Sequence, residues 1–215
     1  MNYSIIKQLL EHLEDYEKLT QNDGGTTMEN FVDYLSYSIN KPETAVEVTE
    51  EELLNVSISQ YVAHLYRFAR SYTKIALEDS PLTTVDDFLY LGKVMELSHC
   101  TKTELIEHNA HEKTSGMEII KRLLKNGFLA QEDDPNDGRS KRLTITAEGK
   151  SEFFAALESM KKSANLVGGP LSMVEKLHLM HLLQKLHTFH KPLFAEKNAS
   201  LDEMLEQIDL EELAQ

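Results

Sequence analysis

The sequence predicts a mainly α-helical fold interrupted by one small β-hairpin. Three observations carry this. Apolar residues recur at helical spacing over most of the 215 residues. One window, from Phe128 to Ile145, switches to strand alternation around Pro135-Asn136-Asp137-Gly138, each a turn former by its own backbone chemistry. Directly before that hairpin stand two short helical patterns separated by a turn, giving the order helix, turn, helix, hairpin.

Each element follows from local pattern. From Ile5 to Leu19, the residues Ile5, Ile6, Leu9, Leu10, Leu13 and Tyr16 share a helix face, and Asn22-Asp23-Gly24-Gly25 stops it. A second helix carries Met28, Phe31, Val32, Leu35 and Ile39 on one side and ends at Lys41-Pro42. Thr49-Glu50-Glu51-Glu52 reads as a capping box opening a long helix. Its expected inner residues are Ile58, Tyr61, Val62, Leu65, Phe68, Ala69, Tyr72 and Ile75, and Ser80-Pro81 is its boundary. A helix over Val85–Leu97 places Phe88, Leu91, Gly92 and Met95 on one side. Thr101 caps a short helix to His108, with Glu104 three residues on. The next helix runs from about Glu112 to Asn126, and Gly127 is its left-handed stop. After the hairpin, Ala147 to about Leu166 is helical, with Phe153, Phe154, Leu157 and Met160 apolar, and Gly168-Gly169-Pro170 breaks it. Ser172-x-x-Glu175 caps a further helix that Lys191-Pro192 is expected to close. A last amphipathic segment holds Leu201, Met204, Leu205, Ile208 and Leu213.

Helix, turn, helix and basic hairpin is the layout of a winged helix-turn-helix, which lays its second helix in a DNA major groove with the hairpin beside it. In that helix Ile119, Ile120 and Leu123, with Gly116 one turn earlier, form the inner face. The outer face is then Lys113, Thr114, Met117, Glu118 and Lys121, flanked by Ser115 and Arg122. Lys113 and Lys121 suit phosphate, Thr114 and Ser115 phosphate or a base edge, Met117 a thymine methyl, and Glu118 a cytosine amino group. In the hairpin, Lys141 and Arg142 suit phosphate.

Asp134-x-x-Asp137-x-Arg139 followed by Leu143-x-Ile145-Thr146-x-x-Gly149 resembles the wing signature of the MarR (multiple antibiotic resistance regulator) family. Thr101-x-x-Glu104-Leu105 and Arg122-Leu123-x-x-x-Gly127-Phe128-Leu129 fall at that family's spacing. The resemblance spans roughly residues 55–191, with its core at 101–149. It implies a homodimeric, ligand-responsive transcriptional regulator, expected to be a repressor, on a pseudo-palindromic double-stranded site. Helices at 55–79 and 150–191 would pair across a two-fold axis, Arg139 would lie near the minor groove, and Asp137 and Gly138 would shape the wing turn. A small-molecule effector would sit in the cleft between the pairing helices and the module; Tyr61, His64, Tyr66 and Phe68 suit either the lining of that cleft or core packing, and no ligand residue is assigned. The chain departs from the family pattern at Gly116, at Ala110-His111 in the turn, at Glu118, and at Asn136 and Gly138.

The expected organisation is a helical N-terminal extension at 1–54, a first dimerisation helix at 55–82, the winged helix-turn-helix at 83–149, C-terminal dimerisation helices at 150–191 and an acidic segment at 192–215. Charge follows these divisions. The net charge of -14 would argue against a nucleic-acid binder were it evenly spread. Residues 1–54 hold 3 basic and 12 acidic side chains, and residues 195–215 hold 1 and 7, whereas residues 99–150 hold 9 of each. The acid sits at the two ends and the reading module is neutral. No signal-like apolar run opens the chain, no stretch approaches a membrane span, and the single cysteine forms no internal disulfide, all of which fit the cytoplasm.

Other chemistry is thinly represented. There is no phosphate loop, nucleophile elbow or triad, so no enzyme is expected and no cofactor is implied. His178 and His181, and again His187 and His190, stand three apart on one helix and suit a metal-sensing alternative, although no further ligand lies at a convincing spacing. His99-Cys100 reads either as a redox-sensing thiolate at a helix start or as a small packed junction residue. Glu118 and the modest wing charge suit a further alternative, a protein-interaction module that has kept the fold and lost DNA.

Overall fold

The computed structural model describes residues 3–20, 27–41, 49–133, 141–195 and 200–212. The chain forms two compact units, Met1–Val56 and Ser57–Gln215. In the first, α1 (Tyr3–Leu19) and α2 (Met28–Asn40) form a helix pair. Thr27 caps α2 by accepting from the Asn30 amide. Tyr16 is buried between Phe31 and Tyr34, with ring centroids 5.5 and 5.4 Å away. The expected apolar faces are only partly used: Ile5, Ile6, Leu9, Leu10, Met28, Val32 and Ile39 are exposed. Two helices bury only the stripe along which they cross, and apolar spacing marks a face without saying what covers it.

The helix α3 (Glu50–Ala76) begins with the expected box, the Thr49 amide donating to Glu52 Oε2 at 2.7 Å and the Glu52 amide to Thr49 Oγ1 at 3.2 Å. Of its expected inner residues, Ile58, Tyr61, Val62, Leu65, Phe68 and Ile75 are exposed in the single chain.

The second unit is built around one core. Its elements are α4 (Val85–Leu97), β1 (Cys100–Thr101), α5 (Lys102–His108), α6 (Lys113–Lys125), β2 (Leu129–Asp133), β3 (Lys141–Ile145) and α7 (Ala147–Gly168). The strands form an antiparallel sheet in the order β1-β3-β2, with Leu129 opposite Ile145 and Asp133 opposite Lys141. The strand β1 was not legible in the sequence, because two residues carry no period; Cys100 faces Leu143 and Thr101 faces Arg142. Tyr90, Leu91, Val94, Leu105, Ile120, Leu123 and Leu143 are fully or almost fully buried.

On α4 the core is reached by Asp87, Tyr90, Leu91 and Val94. The expected Phe88, Gly92 and Met95 are half-buried instead and lie on the side toward α7, where Phe88 stacks on Phe153 at 4.4 Å. The helix α7 starts on Thr146, whose Oγ1 accepts from the Gly149 amide at 2.9 Å. It reaches α3 through a Thr73–Ser163 hydroxyl pair at 3.4 Å.

The helix α8 (Met173–Ala195) opens on Ser172 and Glu175 as expected. It does not close at Lys191-Pro192 but runs through Pro192 to Ala195. Proline removes one backbone donor, so the Thr188 carbonyl loses its i+4 partner, a loss confined to one bond near the end of the helix. None of its residues from 173 to 194 is buried. The helix α9 (Leu201–Glu212) completes the described elements. Among the described residues, no helix is long and apolar enough to cross a membrane.

Candidate nucleic-acid interface

The helix α6 buries Gly116, Ile119, Ile120 and Leu123 and turns Lys113, Thr114, Ser115, Glu118 and Lys121 to solvent. Gly127 stops it at φ 74°. The interior glycine has a steric cause: a Cβ at Gly116 would lie 2.5 Å from Ile106 Cγ1 and 2.8 Å from Tyr90 Oη. Glycine is what lets α5, α6 and the Tyr90 hydroxyl meet. Met117 is displaced from the expected outer face; it is half-buried and packs on the core edge.

Arg122 has a different environment from the one expected of a flank residue. Its Nε and Nη2 donate to Asp87 Oδ1 at 2.9 and 2.7 Å, and Nη2 also approaches Thr84 Oγ1 at 3.3 Å. The guanidinium is thus turned inward to a carboxylate that is only 1% exposed.

The turn between α5 and α6 is held by the His111 amide donating to the Ile106 carbonyl at 3.2 Å and by Asn109 Nδ2 donating to the Leu105 carbonyl at 2.8 Å. Ala110 takes φ 50°, the left-handed conformation that glycine adopts without a Cβ penalty. His111 Nδ1 lies 3.1 Å from Tyr90 Oη, and Nε2 lies 3.7 Å from Asp86 Oδ1. Burial, with Asp86 adding to it, pushes the Tyr90 hydroxyl up to about 12.

The helices α4, α5 and α7 each begin on a threonine whose hydroxyl accepts from a first-turn amide. At α6 the N-cap is Glu112, which makes no such bond. First-turn amides of a helix without a side-chain acceptor attract anions, and here they stand beside exposed Lys113, Thr114 and Ser115.

In the hairpin, Lys141 pairs with Asp133 across the strands at 2.9 Å, with both side chains exposed. Arg142 is half-buried and lines a shallow cavity of about 150 Å³ with His99, Cys100, Thr101 and Glu104. Asp137, Gly138 and Arg139 lie outside the described residues.

Cys100 is buried, and burial, with Glu104 adding to it, pushes its thiol up to about 11. This contradicts the activated-thiolate expectation, since a thiol so placed stays protonated. His178, His181, His187 and His190 are all exposed on α8. Among the described residues no three His, Cys, Asp or Glu side chains are arranged to hold a metal. Tyr61, Tyr66 and Phe68 are exposed on α3, and His64 packs its ring near Tyr61 and Phe68.

Sequence reasoning missed Asp86, Asp87 and Tyr90. One signal was present: Thr84-Val85-Asp86-Asp87 is a capping box of the aspartate kind, and the structure forms it. That Asp87 also meets Arg122, 35 residues on, is a property of packing alone.

Residues 82–149 match the family model of the winged helix DNA-binding domain, the class of module that this helix-turn-helix and hairpin define. Among solved structures the chain is similar to a probable transcriptional regulator from Pseudomonas aeruginosa, at 22% identity over 62% of this chain and 98% of the other, with a TM-score of 0.57. It is similar to BpsR of Bordetella bronchiseptica, whose DNA binding is regulated by 6-hydroxynicotinic acid, at 19% identity over 60% and 98%, with a TM-score of 0.56. It is also similar to a cysteine-to-serine mutant of MarR from E. coli complexed with operator DNA, at 17% identity over 61% and 94%, with a TM-score of 0.57. At such identities the likeness to these regulators is one of fold. A comparison with curated proteins gives no match.

Proposed function

We propose that the chain is a dimeric, sequence-specific DNA-binding transcriptional regulator of the MarR type, and a ligand-responsive repressor. The observation that carries this is the exposed face of α6. Lys113, Thr114, Ser115, Glu118 and Lys121 project from a helix whose first-turn amides lack a side-chain cap, within a matched winged helix DNA-binding domain. Lys113, Lys121 and Lys141 contact phosphate, Thr114 and Ser115 phosphate or base edges, and Glu118 a cytosine amino group. Arg139 enters the adjacent minor groove, and Arg142 contacts phosphate from β3. Arg122 is left out of this set because its guanidinium is engaged with Asp87.

Dimerisation is supported by the apolar surface left on α3 and α8, where Val62, Leu65, Phe68, Leu177, Leu182 and Phe189 are exposed in the single chain. Rows of exposed large apolar side chains along a helix suit an interface. Regulation by a small aromatic acid is supported by analogy with BpsR and its 6-hydroxynicotinic acid.

The test is binding of the full chain to duplexes from its own upstream region at several salt concentrations. The account expects saturable, base-selective binding that weakens with salt. Lys121→Ala weakens it about equally for all sequences and reduces the salt slope by about 1. Arg139→Ala lowers preference at A·T-rich flanks. Absence of salt-dependent binding to any fragment contradicts the proposal. A stable protein partner covering α6 would point instead to an interaction module.

A further inference from the structure

We propose that the first turns of α4 act as a bracket that sets the orientation of α6 by gripping it near both ends. Asp87 holds Arg122, and Asp86 with Tyr90 holds His111. These are positioning residues, and their role rests on the reading of α6 as the groove helix.

The grip near the C-terminal end is complete. Asp87 Oδ1 accepts both Arg122 bonds, while Oδ2 accepts from the Thr83 amide and hydroxyl at 2.8 Å each and from the Thr84 amide at 3.1 Å. The carboxylate is therefore itself fixed by the start of α4 before it meets the guanidinium. A planar fork with two nitrogens on one oxygen constrains direction as well as distance. At the other end, His111 stands two residues before α6, between the Tyr90 hydroxyl and Asp86. Tyr90 is 0% exposed, and a buried hydroxyl needs such a partner. Between the two grips, Gly116 sits against the same Tyr90 hydroxyl.

The inner face of α6, Ile119, Ile120 and Leu123, supplies burial, and burial is non-directional. A helix held only by such a ridge has slack in rotation and sliding. Reading a base edge tolerates little slack, on the order of 0.5 Å and 10–20°. An ion pair whose arginine side chain is 34% exposed is also a modest source of stability. What the bracket adds is geometry.

That distinction gives the experiment. The full-length double variant Asp87→Asn/Arg122→Met removes the ion pair and keeps a side-chain oxygen for the Thr83 and Thr84 donors. It is expected to stay folded, to lose about tenfold or more in affinity for a duplex selected by the unaltered protein, and to keep its low-salt non-specific binding within about twofold. Arg122→Lys, which keeps charge and loses the fork, should fall between. Unchanged affinity and base preference in the double variant overturn the proposal. Amide exchange gives a readout free of DNA: residues 109–125 should exchange faster in the double variant while α7 does not. Unchanged exchange there overturns the bracket even if the unaltered protein binds no duplex, an outcome that would separately defeat the proposed function. If the double variant fails to fold, His111→Phe keeps the ring against Tyr90 and removes both polar contacts. Faster exchange at 109–116 with lower selectivity supports the bracket, and no change in either overturns it.

Discussion

Gly116 illustrates what one residue can and cannot tell. In the sequence it is an oddity, a glycine inside a helix at a cost of about 1 kcal/mol relative to alanine. In the structure it is the point where Ile106 and the Tyr90 hydroxyl come closest to the α6 backbone. Propensity therefore gives the wrong sign for the substitution. Gly116→Ala should lower stability by about 1–3 kcal/mol, because neither neighbour has room to retreat. Chemical denaturation checks this; an increase in stability contradicts the close approach. Met117, Arg122 and Cys100 belong with it. In each the packing environment decides the role: Met117 moves to the core edge, Arg122 pairs with Asp87, and of the two readings of Cys100 the packed junction residue stands.

Helix starts were the most legible elements, because a cap is a local event. Thr49 with Glu52, Thr101 with Glu104 and Ser172 with Glu175 all form as the Ser/Thr-x-x-Glu spacing requires. Donation from the Thr101 amide, then its hydroxyl, holds the Glu104 carboxyl below its ordinary range. A carboxylate lowered in this way contributes stability above its unfolded range and loses it as pH falls through the folded value. Thr101→Ala should therefore cost about 1 kcal/mol at neutral pH and less once Glu104 is protonated. Equal losses above and below the Glu104 titration in urea experiments would contradict the box. The hairpin strands were legible too, through alternation at Leu143 and Ile145. The two-residue β1 and the continuation of α8 through Pro192 were not. The first is too short for a period, and a proline so near a helix end permits either a stop or a further turn.

At the scale of the molecule, sequence periodicity located the apolar faces but not their cover. The helix α8 shows this most fully. Met173, Leu177 and Met180 share one side, Leu179, Leu182, Leu186 and Phe189 the opposite one, and all are exposed in the single chain. A helix apolar on two sides belongs in an interior, which a second copy would supply. Leu182→Glu should convert a dimer to a monomer in sedimentation experiments, since a carboxylate in an apolar interface is strongly disfavoured. A monomeric unaltered protein would contradict this part of the account. The charge division acts at the same scale: the acidic ends set the overall -14, while the reading module is balanced and leaves DNA contact to the direction its cations point.

In the proposed complex two copies present two α6 helices to one double strand. Selection of bound sites from random duplexes, followed by footprinting of the selected site, tests it most directly. The expected site is a pseudo-palindrome with half-site centres about one helical turn apart, occupied by two chains. A single half-site bound by one chain, or protection without any sequence preference, would contradict it.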